Sequence, residues 1–221
     1  AILQSVGVMR PMSSLAEAEK LGLQAGANIE DLRRMEASAL VQRLKDISTA
    51  GRDVTAARAL GVIIDGRIIR QDDYRAFASG AYARMPMIVG SNANEGGGIA
   101  RSHPVKTVSA LQSYLARNFP GFEARARDAY AAATDADVQA ALARLMSDTE
   151  FLYGTRAMLR VVSQSEPRTY RYVFTQQRNG ATTAPIHGDE LQYPFDNLQA
   201  LHRGRIRPSD ASDMKLAQAM A

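Results

Sequence analysis

The 221-residue sequence contains no cysteine and no tryptophan. Without cysteine there are no disulfides, no thiolate metal sites and no cysteine nucleophile, while a reducing and an oxidising compartment both remain open. No window approaches the run of about eighteen apolar residues that a membrane-spanning helix needs. The opening residues, Ala1 to Gly7, also lack the basic segment and apolar core of a signal peptide. Like charges never run to five in a row. The 27 lysines and arginines are interspersed with 23 aspartates and glutamates, a net +4 that describes a solvated surface with no basic stripe among aromatics; nucleic acid is disfavoured as a partner.

Histidine is scarce too, at three residues, and no H-E-x-x-H or histidine pair at helical spacing occurs, so no metal site is expected. The glycine run Gly96-Gly97-Gly98 lacks the lysine and Ser/Thr of a phosphate loop and the spacing of a dinucleotide fingerprint. No cofactor is implied. Paired carboxylates for glycoside cleavage stay open, because acidic residues are plentiful and nothing singles out two of them.

What is present reads as a soluble globular chain of one domain or slightly more, with 46% hydrophobic and 23% charged residues. The apolar opening Ala1 to Gly7 reads like the middle of a buried element, and upstream residues of the same fold are expected. Ser13-Ser14 caps a helix to about Ala25, and Glu30 to Lys45 reads as a second amphipathic helix. Val62 to Ile69, two β-branched runs around Asp65-Gly66, carries the signal of a hairpin, and Asp72 to Gly80 that of a short helix. Met85 to Gly90 reads as a buried strand entering the polar loop Ser91 to Gly98. Helical periodicity dominates from Thr107 to about Ser163; Arg168 to Phe174 alternates as a strand, a polar loop with Asn179-Gly180 at its middle follows, and Ser209 onward is a capped helix. Helices, strand, loop, helical insertion, strand, loop and helix in that order suit an α/β sheet with some helices gathered in a separate layer. Ligands of such sheets bind beyond the carboxyl ends of the strands, where both polar loops lie.

His187 is the candidate base, set in a loop with Gly188 beside it, the carboxylates Asp189-Glu190 after it and Tyr193-Pro194-Phe195 beyond. His103, before Pro104, and His202, among Arg203 and Arg205, read as surface residues. Glu95 is a candidate acid that accepts an imidazole proton. On spacing alone the plainer readings remain favoured: an ordinary loop histidine at His187, and at Glu95 a solvated carboxylate or one at a helix start. Met85, Met87, Phe151 and Tyr153 are either pocket or core residues, with core favoured.

Together the two loops resemble the type B carboxylesterases and cholinesterase-like proteins. Gly90-Ser91-Asn92-Ala93-Asn94-Glu95-Gly96 is similar to the family's acid loop, with Asn94 for the commoner aspartate, and Ala184 to Phe195 closely resembles its histidine segment. Weaker likenesses lie at Ala1 to Ser5, at Val62 to Gly66, at Asp148-Thr149-Glu150-Phe151 and from Pro208 onward. The resemblance implies an α/β-hydrolase fold, of which residues 1–221 form the C-terminal part with a helical region at about 107–165. It implies a serine ester hydrolase in which Glu95 and His187 are the catalytic acid and base, acting on a small-molecule ester. The family's Gly-x-Ser-x-Gly elbow is absent from this chain, so the nucleophile and the oxyanion loop are expected in an N-terminal part of the same protein, the chain's expected partner. The alternative is a triad-deficient, cholinesterase-like interaction protein without hydrolase activity. The lack of cysteine sits more easily with bacterial relatives, secreted or intracellular, than with disulfide-bonded animal cholinesterases.

Overall fold

A computed structural model describes residues 1–48, 53–178, 181–199 and 208–221. His202, Arg203, Arg205 and Asn179-Gly180 lie outside the described residues. The chain begins with strand β1 (Ile2–Gln4), followed by a two-residue strand β2 (Ser13–Ser14) and helices α1 (Leu15–Ala25), α2 (Ile29–Arg34) and α3 (Ala37–Ile47). Strand β3 (Ile63–Ile64), helix α4 (Asp73–Ala78), strand β4 (Met87–Asn92) and helix α5 (Gly97–Ser102) come next. Helices α6 (Val108–Asn118), α7 (Glu123–Ala129), α8 (Val138–Ser147) and α9 (Tyr153–Val162) form the helical stretch, before strand β5 (Thr169–Phe174) and helix α10 (Ala211–Met220). A five-residue π-helical turn, Asp148–Leu152, joins α8 to α9.

Local chemistry explains most of these limits. Ser14 caps α1 in a capping box with Glu17, Asp72 caps α4, Thr107 caps α6 and Asp210, one residue past the expected Ser209, caps α10. Each side-chain oxygen accepts a backbone N–H that the helix itself leaves without a partner. Two expectations fail here. The single helix over Glu30 to Lys45 is broken into α2 and α3, because Met35 and Glu36 take extended backbone (ψ 142° and 136°) between them. The hairpin at Asp65-Gly66 does not form: Ile63–Ile64 pairs in parallel with Ser13–Ser14. Asp65 Oδ1 instead accepts the backbone N–H groups of Arg67, Ile68 and Ile69, folding that segment into a local turn, the usual competition of aspartate with ladder bonding.

The main sheet of the described residues is parallel, in the order β1-β4-β5. Gln4 lies opposite Gly90, and Asn92 opposite Phe174. Ile2, at the start of the edge strand β1, is 71% exposed, whereas Val89 of the central β4 is fully buried. Met87 and Val89 pack on Met158 and Val162 of α9, a cluster that seats the sheet on the helical stretch. A second core of Leu111, Tyr114, Leu115, Leu142, Leu145 and Met146 joins α6 to α8, with Ala100 of α5 inserted. A third, of Phe174, Tyr193, Leu198 and Ala217, holds α10 against β5 and the histidine segment. No described helix is long and apolar enough to cross a membrane.

Candidate active site

Because β1, β4 and β5 are parallel, their carboxyl ends lie together at one end of the sheet, and the chain leaving each end delivers one part of the site. Ser5 follows β1 directly and its N–H donates to Gly90 O at 2.8 Å. Glu95 follows β4 by three residues. The segment after β5 returns to lie beside the acid loop, where the Asn94 N–H donates to Pro185 O at 3.0 Å and Asn92 Nδ2 donates to Ile186 O at 2.7 Å. These two bonds set His187, the next residue, at a fixed distance from Glu95. Gly188 then turns the chain with φ 84°, a left-handed conformation that costs a residue with a Cβ.

The result is a hydrogen bond of 2.8 Å between His187 Nδ1 and Glu95 Oε2. Glu95 is completely buried, while the imidazole is 49% exposed. Glu95 Oε1 accepts from the Asn92 N–H at 2.6 Å and lies 2.5 Å from Ser5 Oγ, so the carboxylate is held by donors on both oxygens. A buried carboxylate is tolerable only when it is bonded in this way. With Nδ1 donating to the carboxylate, the imidazole carries its lone pair on Nε2, the atom able to take a proton from a nucleophile. The plainer reading of Glu95 as a helix-start carboxylate does not describe it, since its acceptor bonds go to Asn92, Ser5 and His187, and the first helical residue is Gly97.

Phe151 meets the other side of the base, with ring centroids 4.8 Å apart. Its backbone lies in the π-helical turn, where the widened winding turns Phe151 toward the site while neighbouring Glu150 ion-pairs with Arg10 and, at 2.8 Å, with Arg58. Of the four apolar residues open between pocket and core, Met87 and Phe151 are buried and Met85 and Tyr153 exposed, and Phe151 is the one in ring contact with His187. Two further residues stand beside the acid that no expectation singled out, Ser5 and Glu190. Each lies inside a segment of the family resemblance, which is the signal that was available; neither has a local pattern that marks it.

His103 is a correction. It was expected at the surface and is 4% exposed, its ring edge-on to Tyr114 at 5.0 Å and its Nδ1 accepting the Val105 N–H at 3.3 Å. Pro104 disfavours helix at His103, whose extended backbone (ψ 137°) ends α5 and turns the ring inward. Burial, assisted by the Lys106 charge, lowers its pKa from 6.5. The unfolded chain therefore takes up a proton near 6.5 that the folded one refuses. The contribution of neutral His103 is complete above about 6.5, falls as pH drops through that value and levels off below the lowered folded value. Carboxylates held low by hydrogen bonds, such as Asp65 and Glu123, start from 3.8 and 4.5 and act in a more acidic range. Denaturant unfolding between about pH 7 and pH 5 will show stability falling with acidity, and His103→Asn will flatten that slope.

Among the described residues no group of three or more His, Cys, Asp or Glu side chains is arranged to hold a metal ion. A model of the carboxylesterase family matches residues 7–221. Fumonisin B1 esterase of Sphingopyxis macrogoltabida is 38% identical over 226 residues, a match covering 100% of this chain and 42% of that protein. A solved structure of PNB esterase superposes with a TM-score of 0.71 at 17% identity, covering 100% of this chain and 46% of the other. The chain thus spans less than half the length of both proteins.

Proposed function

Since the chain belongs to the carboxylesterase family and has, in part, an α/β-hydrolase fold, we propose that it supplies the acid and the base of a serine carboxylic-ester hydrolase. Its residues 1–221 are, on this reading, the C-terminal part of the catalytic domain, with the helical stretch from about 107 to 165 shaping the substrate cleft. The observation that carries the proposal is the 2.8 Å bond from the half-exposed His187 imidazole to the buried Glu95 carboxylate. That is the geometry needed to fix a tautomer and stabilise an imidazolium.

The nucleophilic serine belongs to a segment outside this chain, which has no Gly-x-Ser-x-Gly. The serine oxygen attacks the ester carbonyl carbon as its proton passes to His187 Nε2. The imidazolium then returns that proton to the departing alcohol oxygen as the carbon–oxygen bond breaks, leaving an acyl-enzyme. A water molecule repeats the sequence: its proton goes to His187, its oxygen to the acyl carbon, and the proton returns to the serine. Glu95 remains ionised throughout and offsets the imidazolium charge. Neither residue requires a metal or a cofactor for these roles.

The test is the complete polypeptide containing this chain, assayed on short-chain aryl esters and on fumonisin B1, the compound in the name of the 38%-identical relative. His187→Ala will abolish measurable turnover with an unchanged circular dichroism spectrum, since Glu95 keeps its bonds to Asn92 and Ser5. Turnover at the wild-type rate in His187→Ala would refute the role given to this residue.

A further inference from the structure

Behind the acid and base lies a second buried carboxyl group, Glu190, 1% exposed, that the proton transfers do not use. Ser5 Oγ lies 2.5 Å from Glu95 Oε1 and 3.0 Å from Glu190 Oε1, between the two acids. A hydroxyl carries one hydrogen, and an ionised carboxylate only accepts. One hydroxyl hydrogen shared between two ionised carboxylates would leave at least one buried charge weakly bonded, whereas a hydrogen on one of the acids satisfies both contacts.

The surrounding donors decide which acid carries it. Glu95 accepts the Asn92 N–H on Oε1 and faces His187 Nδ1 on Oε2, so both of its oxygens are already used as acceptors. Among the described residues Glu190 meets one N–H donor, Asn92 Nδ2, on Oε2, and the Ser5 hydroxyl on Oε1. Neither of these two partners, the Ser5 hydroxyl and the Asn92 amide, is a cation. We propose that Glu190 is an un-ionised acid that donates to Ser5 Oγ, so that Ser5 must donate to Glu95. The chain of donors then runs Glu190 to Ser5 to Glu95, ending on the carboxylate that holds His187.

Ser5 sustains an unusual backbone to stand there, with φ 51°, the left-handed region that a residue with a Cβ rarely adopts. Such conformations persist where surrounding bonds over-determine them. Glu190 and Ser5 are therefore positioning residues, acting on the substrate only through Glu95 and His187. Asn92 joins the two acids, since its backbone N–H serves Glu95 and its amide serves Glu190.

This inference extends the esterase reading but is tested partly without it. The infrared spectrum of the wild-type protein at neutral pH will contain the carbonyl band of an un-ionised carboxylic acid, sensitive to deuteration, and Glu190→Gln will remove that band. A neutral-pH spectrum with no such band would overturn the proposal, whether or not any ester is cleaved and whether or not a variant folds. In the active enzyme Glu190→Gln, whose amide N–H also donates to Ser5, will keep kcat within about threefold. Glu190→Ala and Ser5→Gly will lower kcat by on the order of 10- to 100-fold with KM little changed, the size of loss that misplacement of catalytic groups produces. Ser5→Gly relieves the left-handed backbone, so a purely structural Ser5 would leave that variant fully active, and Glu190→Gln as damaged as Glu190→Ala would exclude a neutral donor.

Discussion

If the complete polypeptide is the ester hydrolase proposed, Glu95→Gln will lower its kcat by about 10³- to 10⁴-fold, the loss seen when a triad carboxylate becomes an amide, with little change in KM or in the folded spectrum. The reason lies in the donors around the carboxyl group. Asn92 N–H and Ser5 Oγ both approach Oε1, so a glutamine oriented to accept them places its amide nitrogen where Oε2 now meets His187 Nδ1. An N–H there makes Nδ1 the acceptor and puts the imidazole hydrogen on Nε2. The base is then in the tautomer that cannot take a proton from the serine, and no negative charge faces the imidazolium. Steady-state kinetics across pH give the check, and a loss below tenfold would remove Glu95 from the mechanism. His187→Ala tests the base itself; Glu95→Gln tests whether the buried bond selects its tautomer.

The second large effect is on stability. A Cβ at Gly96 would stand 2.2 Å from Ala143 O and 2.7 Å from Ser147 N, both backbone atoms of α8. Backbone within a helix cannot rotate away as a side chain does, so Gly96→Ala must push the acid loop and the start of α5 off α8. The same movement breaks the 2.9 Å bond from Gly96 N–H to Ser147 Oγ. Overpacking and a lost buried bond together put the cost at about 3 kcal/mol or more. Gly22 is the control: it lies within α1 with no atom within 4 Å of an added Cβ, and Gly22→Ala should stabilise by about 0.5–1 kcal/mol through helix propensity. Denaturant midpoints of the two variants will move in opposite directions. If Gly96→Ala unfolds at the wild-type midpoint, the close approach of loop and α8 is wrong. Since Glu95 precedes Gly96, the variant will also lose activity out of proportion to its remaining folded fraction.

Helix starts were legible in the sequence wherever a cap was present. Ser14, Asp72 and Thr107 sit where their side chains bond the first turn, and that chemistry operates within three residues. The division between α2 and α3 was not legible, because Glu30 to Lys45 carries helical periodicity across Met35-Glu36 and nothing local marks the two extended residues. The failed hairpin has a related cause. Asp65-Gly66 does turn the chain, but Ile63–Ile64 found a parallel partner fifty residues earlier in Ser13–Ser14, and a turn motif carries no information about distant strands. His103 misled for the same reason, since Tyr114, the ring that covers it, lies one helix further along.

The candidate site divides in a similar way. The amino-acid sequence by itself identified the family, the α/β class, and Glu95 and His187 as members of two characteristic loops. Spacing alone could not say which carboxylate His187 would meet, and only the family resemblance pointed to Glu95. Asp189 and Glu190 are its nearest acids along the chain, yet the bond goes to Glu95, while Asp189 Oδ2 accepts the Ile186 N–H at 3.0 Å and Glu190 turns toward Ser5. Tertiary structure made that choice, through the register of β4 between β1 and β5, which brings three strand ends and the segment after β5 into bonding distance. Caps and turns are decided by neighbours in sequence and can be read there. Which buried acid pairs with the base, which seats a hydrogen and which phenylalanine covers the ring depend on the alignment of separate elements, and only packing and strand register set that alignment.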